Sequence, residues 1–431
     1  MRLFRQTALA MSILVASVAQ ADSSDTYYLN VGKLLADPAT GEVLTEQTLT
    51  IQNGKISDLK DGYTDNEDAI DLKNAFVLPG LIDSHVHLTS QQGVNSRLAR
   101  VTQSDADYAM IGANHARKTL YAGFTTVADL GGSNEAVFAL RDAIKRGDVV
   151  GPNIIAAGAA VAVHGGHGDA NGYSPEVLNL LRRTSICSGA ADCRRAVRMQ
   201  VQGGADVIKI TATGGVLSDT AAGLAQQFTQ DELESIVEVA HRMGRKVTAH
   251  AHGVDGINAF LKAGGDSIEH GTYLDDESIE LLKSEDKWLV PTLLAGDFVA
   301  RVASGPDNFF TQAQTDKALE VGPNMLDMAK RAHAAGVKIA FGTDTGVSAH
   351  GDNAQEFALL VKAGMKPLEA IQAATVNAAE HLDISDKAGK IALDRPADLI
   401  AVKNNPLDDI TELERVVFVM KDGVVHKNTL N

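Results

Sequence analysis

The stretch LPGLIDSHVHL, residues 78–88, is an apolar run that ends in two histidines one residue apart. Such a run is typical of a buried strand, in which side chains i and i+2 point to the same face. His85 and His87 are therefore expected to converge on one point. Convergent imidazoles are typical of a metal site.

Seven further segments resemble this first strand, and amphipathic stretches such as TQDELESIVEVAHRMG separate most of them. They are TTVADLGG, NIIAAGAAV, DVIKITATGG, KVTAHAHG, SIEHGT, WLVPTLL and IAFGTDTG. Alternating strands and helices predict a parallel α/β fold, and eight strands are the number of a (β/α)8 TIM-like barrel. An open doubly wound sheet is the alternative. Polar and glycine-rich residues follow these strands, at the face where such a barrel carries its active site.

Short strands are predicted at both ends of the chain. Asn53-Gly54 and Asp422-Gly423 are strong hairpin-turn signals between alternating apolar and polar runs. We expect the two ends to pair into one small β-sandwich domain. The predicted domains are a signal peptide at 1–21, a composite β-sandwich from 22–78 and 388–431, and a metal-binding barrel over 79–387.

The first 21 residues have the pattern of a secretory signal peptide. Arg2 and Arg5 precede an apolar stretch from Thr7 to Val18, and Ala19-Gln20-Ala21 supplies an A-x-A cleavage site. A membrane anchor is the alternative, but the apolar stretch is shorter than the roughly 20 residues that span a bilayer. The mature chain is therefore expected in the periplasm or outside the cell.

Charge and cysteine content limit the partners and the compartment. The chain has 431 residues and a formal net charge of −16, and no basic run that would neutralise phosphates. Nucleic acid and membrane surfaces are therefore not expected as partners. Cys187 and Cys193 are close enough in sequence to form a disulfide in an oxidising compartment, with two free thiols as the alternative.

The strand ends carry a set of potential metal ligands. Each alone has an ordinary structural explanation, but together they would place nitrogen and oxygen donors around one point, which suits divalent zinc or manganese. These residues are His85 and His87 after strand one, Lys209 in strand four, His250 and His252 after strand five, His270 after strand six and Asp344 after strand eight.

Lys209 needs its own explanation, because an ammonium group repels a cation. Burial beside positive charge favours the neutral amine. A neutral amine can take up carbon dioxide and become a carbamate, which could bridge two metals. The alternative is a lysine that binds a substrate carboxylate or pairs with an acid.

Taken together, PGLIDSHVHL, VIKI, HAHG, EHG and GTDTG resemble the amidohydrolase superfamily, and the resemblance covers essentially the whole mature chain. The chain is most similar to the bacterial metal-dependent dipeptidases of the prolidase and Xaa-Arg/Lys type, a branch that includes amide-hydrolysing ochratoxin-type hydrolases. This resemblance implies that the chain is a binuclear enzyme that cleaves the amide bond of dipeptides or N-acyl amino acids. It assigns one metal to His85, His87 and Asp344, the other to His250 and His270, and a bridging carbamate to Lys209.

We expect the nucleophile to be a metal-bridging hydroxide, with Asp344 as the base that takes its proton and later passes it to the leaving amine. The glycine-rich stretch VAVHGGHGD offers His164 and His167 near the substrate. The resemblance suggests His164 as a donor to substrate or oxyanion, with His252 as a second candidate. A structural role is the alternative for both. Four more histidines are expected at the surface: His115, His241, His333 and His381.

Several alternatives stay open at this stage. The carboxylate of a substrate needs a cation, and five arginines are available: Arg182, Arg183, Arg194, Arg195 and Arg301. The rival functions are a cyclic-amide hydrolase of the imidazolonepropionase type, a deaminase, and a non-catalytic periplasmic metal-binding protein. Single-metal relatives usually lack the strand-four lysine ligand, so Lys209 argues against them. The preferred substrate, the native metal and homo-oligomer formation are undetermined.

Overall fold

A computed structural model of the chain describes residues 26–219 and 223–430, so the predicted signal peptide lies outside the described residues. The strands are β1 (Thr26–Leu34), β2 (Leu44–Gln52), β3 (Lys55–Asp61), β4 (Ile70–Pro79), β5 (Leu81–Val86), β6 (Phe124–Asp129), β7 (Asn153–Ala156), β8 (Ala162–Val163), β9 (Ile186–Cys187), β10 (Ile208–Thr211), β11 (Val247–Ala251), β12 (Ser267–His270), β13 (Trp288–Val290), β14 (Lys338–Ile339), β15 (Leu399–Val402), β16 (Phe418–Lys421) and β17 (Val424–Asn428).

Helices separate most of the central strands, which confirms the α/β class. The α-helices are α1 (Ser96–Thr102), α2 (Asp105–Tyr121), α3 (Asn134–Arg146), α4 (Pro175–Leu180), α5 (Ala190–Gly203), α6 (Gln230–Arg242), α7 (Val254–Lys262), α8 (Asp276–Ser284), α9 (Leu293–Ser304), α10 (Gln312–Ala334), α11 (Gln355–Lys362), α12 (Pro367–Gln372) and α13 (Ala378–His381). A π-helix covers Ala373–Asn377 and a 3₁₀ helix covers Ile410–Arg415. No helix in the described ranges is both long enough and apolar enough to cross a bilayer.

The eight central strand segments predicted from the sequence all form parallel strands. They lie in two sheets, ordered β5-β6-β7 and β10-β11-β12-β13-β14. Parallel bridges connect the sheets at both edges, between Val161 and Ile210 and between Val86 and Thr345. Because all eight strands run the same way, their carboxyl ends lie at one end of the molecule, which brings the polar strand ends together.

The α6 helix shows how the local sequence covers these sheets. The helix begins with a capping box between Thr229 and Glu232, which satisfies backbone N–H groups that have no partner within the helix. Leu233, Ile236 and Ala240 recur at helical spacing and are fully buried. This apolar face packs against α5 and β11. Glu234 and Glu238, which lie between them, face solvent, as the amphipathic pattern predicts.

The two ends of the chain form a single seven-stranded sheet, ordered β17-β16-β15-β4-β1-β2-β3. The N-terminal β4 pairs with the C-terminal β15 in antiparallel register. The predicted hairpin turns have the required left-handed backbone, with φ of 52° at Asn53 and 76° at Gly54, and of 50° at Asp422 and 75° at Gly423. The folding of this sheet into two layers and the domain boundaries stay predictions.

Cys187, at the end of β9, and Cys193, in α5, form a disulfide, with Cα atoms 5.0 Å apart. Both residues are fully buried. The two-thiol alternative is therefore wrong for this structure. The bond ties the short β9 strand to the helix that follows it.

Two of the four histidines expected at the surface are buried. His115 stacks on His350 with ring centroids 4.2 Å apart, and His381 is only 6% exposed. Both lie on helix faces that pack inward, which the helical position alone does not reveal. The other two, His241 and His333, are in contact with solvent and lie beside carboxylates.

Candidate metal centre

A cavity of about 710 Å³ lies at the carboxyl ends of the parallel strands. Its wall includes all the predicted metal ligands: His85, His87, Lys209, His250, His270 and Asp344. A second cavity of about 960 Å³ lies at the opposite strand ends and contains none of them. The first cavity is therefore the candidate functional site, because all six side chains line it.

The first ligand cluster consists of His85, His87 and Asp344, whose donor atoms all lie within 4.8 Å of one another. Oδ1 of Asp344 is 3.0 Å from Nε2 of His87 and 3.5 Å from Nε2 of His85. This oxygen is buried, yet it accepts no well-aligned hydrogen bond from any residue that the structure describes. A buried carboxylate oxygen without a donor is costly, and a cation bound here would satisfy it.

The second cluster consists of His250, His252 and His270, again with donor atoms within 4.8 Å of one another. The ring centroid of His250 lies 4.7 Å from that of His252 and 4.7 Å from that of His270. The resemblance assigned only two of these histidines to a metal. The structure brings His252 equally close, so three nitrogen donors are available on this side.

Lys209 lies between the two clusters. Its side chain is buried, and Nζ is 3.5 Å from Nε2 of His85. Burial lowers the pKa of the Lys209 amine, although the charges of Glu269 and Asp344 oppose this effect. Its positive charge also lowers the pKa of His250, in the other cluster. The neutral amine is therefore favoured relative to an exposed lysine.

Outer hydrogen-bond partners orient most of the imidazoles. In four of the rings Nδ1 makes the outer contact. Nδ1 of His85 lies 2.7 Å from Oε2 of Glu269, and Nδ1 of His87 lies 2.9 Å from the Gly131 carbonyl. Nδ1 of His252 lies 2.8 Å from Oγ1 of Thr272, and Nδ1 of His270 lies 2.6 Å from Oγ1 of Thr292. His250 is reversed, with Nε2 3.3 Å from the Gly214 carbonyl. Each ring thus uses one nitrogen for support and keeps the other free, as metal-binding histidines do.

The sequence profile described as the Amidohydrolase family matches residues 76–426. The chain belongs to the amidohydrolase family. It is therefore a hydrolase, and the similarity to the dipeptidase-like branch predicted from the motifs is confirmed.

Relatives of this amidohydrolase cover almost its whole length. Ochratoxinase of Aspergillus niger is 34% identical over 440 residues, which cover 95% of this chain and 88% of that protein. A crystal structure of a Xaa-Pro dipeptidase with methionine bound in its active site matches with a TM-score of 0.89 and 41% identity, covering 94% and 100% of the two chains. A prolidase complexed with N-methylphosphonate-L-proline matches with a TM-score of 0.84 and 30% identity, with the same coverage.

The protonation of the amidohydrolase site suits metal binding. Burial is the main cause that lowers the pKa of His85, His250 and His270 well below the usual value of 6.5. Neutral imidazole is the form that binds a metal. At His87 burial also lowers the pKa, but the contact with Asp344 outweighs it and raises the pKa.

Two candidate ligands of the amidohydrolase site have strained backbones. The φ angle is 70° at His270 and 58° at Asp344, in the left-handed region that non-glycine residues rarely adopt. The Asp344 N–H donates to the His85 carbonyl at 2.7 Å, which holds the strained Asp344 against β5. Such conformations concentrate at functional sites, where the surrounding structure stabilises them.

The two histidines of VAVHGGHGD, His164 and His167, lie in different surroundings. His164 is exposed, and its Nδ1 contacts Ser188 Oγ at 2.8 Å. His167 instead lines the cavity, and its ring centroid is 4.2 Å from that of His250. The resemblance favoured His164 as the donor to substrate, but His167, and not His164, is among the residues that line this cavity.

Sequence reasoning missed the role of Glu269, although its position directly before His270 in the EHG motif was a usable signal. This glutamate is fully buried behind His85 and also accepts a hydrogen bond from Thr248. Its carboxylate thus orients a ligand imidazole from outside the cavity.

Proposed function

We propose that this amidohydrolase binds two divalent metal ions, with zinc as the expected metal, and hydrolyses the amide bond of dipeptides or N-acyl amino acids. The observation that carries the proposal is the pair of three-ligand clusters around one buried lysine in a single cavity. The similarity to structures of a Xaa-Pro dipeptidase and a prolidase supports the choice of bond. We also infer that the eight parallel strands close into a (β/α)8 barrel, which the bridges at both sheet edges support.

In this proposal His85, His87 and Asp344 hold one ion, and His250 and His270 hold the other. Lys209 would supply a further ligand as a carbamate: the neutral amine would add to carbon dioxide, form an N–C bond and release one proton. The burial of Lys209 and its lowered pKa support this step. Two ions bound here would acidify a shared water and polarise the amide carbonyl.

Asp344 is proposed as the general base. Burial raises the pKa of its carboxyl group, but His85, His87 and Lys209 outweigh burial and lower it. The carboxylate is therefore ionised at neutral pH and can accept a proton from the attacking water. The same group then returns the proton to the leaving nitrogen, which departs as an amine.

The oxyanion formed at the carbonyl needs hydrogen-bond donors. We propose His167 for this role in place of the predicted His164, because His167 lines the cavity beside His250. His252 stays the second candidate, since its contact with Thr272 occupies Nδ1 and leaves Nε2 free. A donor placed at the developing charge typically contributes about 10²–10³-fold in rate.

The first experiment is a substrate panel. Zinc-loaded enzyme is incubated with dipeptides and N-acyl amino acids that carry proline, arginine, lysine, phenylalanine or methionine at the C-terminal position, and amino acid release is measured. Release from one subset supports the proposal and identifies the side-chain pocket. No release from protein shown to contain two metals refutes it and directs attention to cyclic amides and deaminase substrates.

Two variants separate binding from catalysis. Asp344→Asn should retain most of the metal and lower turnover by about 10²–10⁴-fold, because general base catalysis is lost. Metal loss in proportion to activity would instead make Asp344 a ligand without a proton-transfer role. Enzyme loaded with ¹³C-labelled bicarbonate should show a carbamate resonance that Lys209→Ala lacks.

We further propose that the enzyme works in the periplasm or outside the cell. The signal-peptide pattern of the first 21 residues and the disulfide between Cys187 and Cys193 support an oxidising compartment. Fractionation of cells that express the full chain would test this, and recovery of the protein with cytoplasmic markers would contradict it.

A further inference from the structure

The guanidinium groups of two arginines in the wall of the metal cavity have no ion-pair partner among residues 26–219 and 223–430. Arg100 lies in α1, and Arg183 lies between α4 and β9. Neither guanidinium makes an ion pair or a hydrogen bond with any residue in the described ranges. An unpaired cation inside a cavity attracts an anion, because the low-dielectric walls strengthen its field.

The other arginines considered as carboxylate binders are engaged elsewhere, outside this cavity. Arg182 donates to Asn179, Arg194 lies beside Glu238, Arg195 pairs with Asp192, and Arg301 stacks over Phe298. Arg97 does line the cavity, but it is ion-paired with Asp219 and lies over the ring of Tyr173. Of the five arginines considered from the sequence, Arg183 is the one that lines the cavity, and no described residue forms an ion pair with it. Arg100, which was not among the five, has the same two properties.

Arg100 and Arg183 are close enough to repel each other. Both side chains are exposed in the wall of the same cavity, and the pKa of Arg183 is lowered by partial desolvation and by the charge of Arg100. Asp105 and Asp169 oppose this shift from beyond ion-pair distance. Two guanidinium groups without an ion-pair partner in the described residues, in one cavity of a chain of net charge −16, favour a ligand that carries negative charge.

At Tyr108 burial raises the pKa of the phenol, and the charges of Arg100 and Arg183 act on the same group and oppose this shift. The phenol is half-buried and lines the same cavity. Its hydroxyl can donate to an oxygen that the guanidinium groups also contact. Planar guanidinium groups match the two oxygens of a carboxylate. These groups and both metal clusters line one cavity of about 710 Å³, a size typical of small-molecule sites.

On the basis of the proposed amide hydrolysis, we propose that Arg100 and Arg183 bind the free carboxylate of the C-terminal amino acid of the substrate. The enzyme then selects substrates that end one residue after the cleaved bond. Dipeptides and N-acyl amino acids meet this condition. C-terminal amides, esters and internal bonds of longer peptides do not.

The test compares a dipeptide that the wild type hydrolyses with its C-terminal amide, which has the same scissile bond but no carboxylate. Arg183→Met and Arg100→Met should each raise KM for the dipeptide by about 10- to 100-fold, the usual effect of losing a charged hydrogen bond. Their kcat should stay close to that of the wild type. Hydrolysis of the amide should not change, so that the variants lose the preference for the acid.

Arg182→Met is the matched control, because the neighbouring Arg182 lies outside the cavity, and it should behave as the wild type. Arg183→Lys keeps the charge and should recover part of the preference. Equal effects of Arg183→Met on the acid and the amide, or no effect, would overturn the proposal. Metal content and melting temperature of each variant show whether the fold and the metal centre are retained.

A binding measurement separates this proposal from the proposed function. Calorimetry with L-phenylalanine and L-phenylalaninamide as probes should show tighter binding of the free acid by the wild type and a loss of this difference in Arg183→Met. If no substrate is hydrolysed but the difference depends on Arg183, the carboxylate site stands and the proposed activity fails. If hydrolysis occurs but neither KM nor binding depends on Arg183 or Arg100, the carboxylate site alone fails.

Discussion

Replacement of Glu269 by glutamine tests how far a buried carboxylate behind His85 supports the metal centre. Oε2 of Glu269 lies 2.7 Å from Nδ1 of His85, and Oε1 accepts a hydrogen bond from Thr248. The side chain is 0% exposed. Glutamine has nearly the same shape, so the change removes charge without leaving a cavity.

The expected loss follows from two independent estimates. A hydrogen bond to a charged group contributes about 1.5–3 kcal/mol. Loss of an outer partner of a metal-binding histidine typically costs about 10- to 100-fold in affinity, or about 1.4–2.7 kcal/mol. The amide also presents an NH₂ group that can face Nδ1 of His85. That arrangement favours the proton on Nε2, the nitrogen that should bind the metal.

We therefore expect Glu269→Gln to weaken zinc binding by about 10- to 100-fold, measured by competition with a chromophoric chelator. Thr248→Val, which removes only the other donor to the carboxylate, should have a smaller effect. Glu285→Gln, at an exposed position after α8, controls for the loss of one negative charge. A folded Glu269→Gln variant with unchanged zinc affinity would refute the reasoning.

The remaining predictions concern stability and the position of one ligand. The double variant Cys187→Ser/Cys193→Ser should lower the free energy of unfolding by about 2 kcal/mol in urea titrations, as should reduction of the wild type. Burial raises the pKa of Asp398 from 3.8 to about 7, so its contribution to the free energy of unfolding is complete below pH 3.8 and is lost as the pH rises through about 7. Between these two pH values the free energy of unfolding of the wild type should fall by about 4 kcal/mol more than that of Asp398→Asn. Urea titrations that give parallel pH dependences for the two proteins would contradict this. Gly131→Ala would place a Cβ 2.8 Å from Cε1 of His87, so turnover should fall by about 10- to 100-fold with little change in melting temperature.

The central strands were predictable because their signals are local. An apolar run of a few residues followed by glycine or a polar side chain predicts a buried parallel strand wherever it occurs. The hairpin turns at Asn53-Gly54 and Asp422-Gly423 were equally local, since only a few residue pairs accept positive φ at both positions. Parallel order then brings His85 and Asp344 to the same end of the molecule, although 259 residues separate them in the sequence.

The loops and helix faces were less predictable. His164 and His167 are three residues apart in one glycine-rich loop, and only the folded path of that loop places one beside His250 and the other in solvent. His115 and His381 were expected at the surface, because the helical pattern alone did not show which face packs inward. These features depend on contacts between segments that are distant in sequence.

The sequence by itself determined the strand positions, the hairpin turns and the residue types at each strand end, because backbone periodicity and turn chemistry act over a few residues. Only the tertiary structure decided which nitrogen of each imidazole contacts an outer partner, that Glu269 supports His85, and that the guanidinium groups of Arg100 and Arg183 have no ion-pair partner in the described part of the chain. Each of these is a distance between side chains from different elements. Such distances are set by how the helices and loops pack around the strands, which no local pattern encodes.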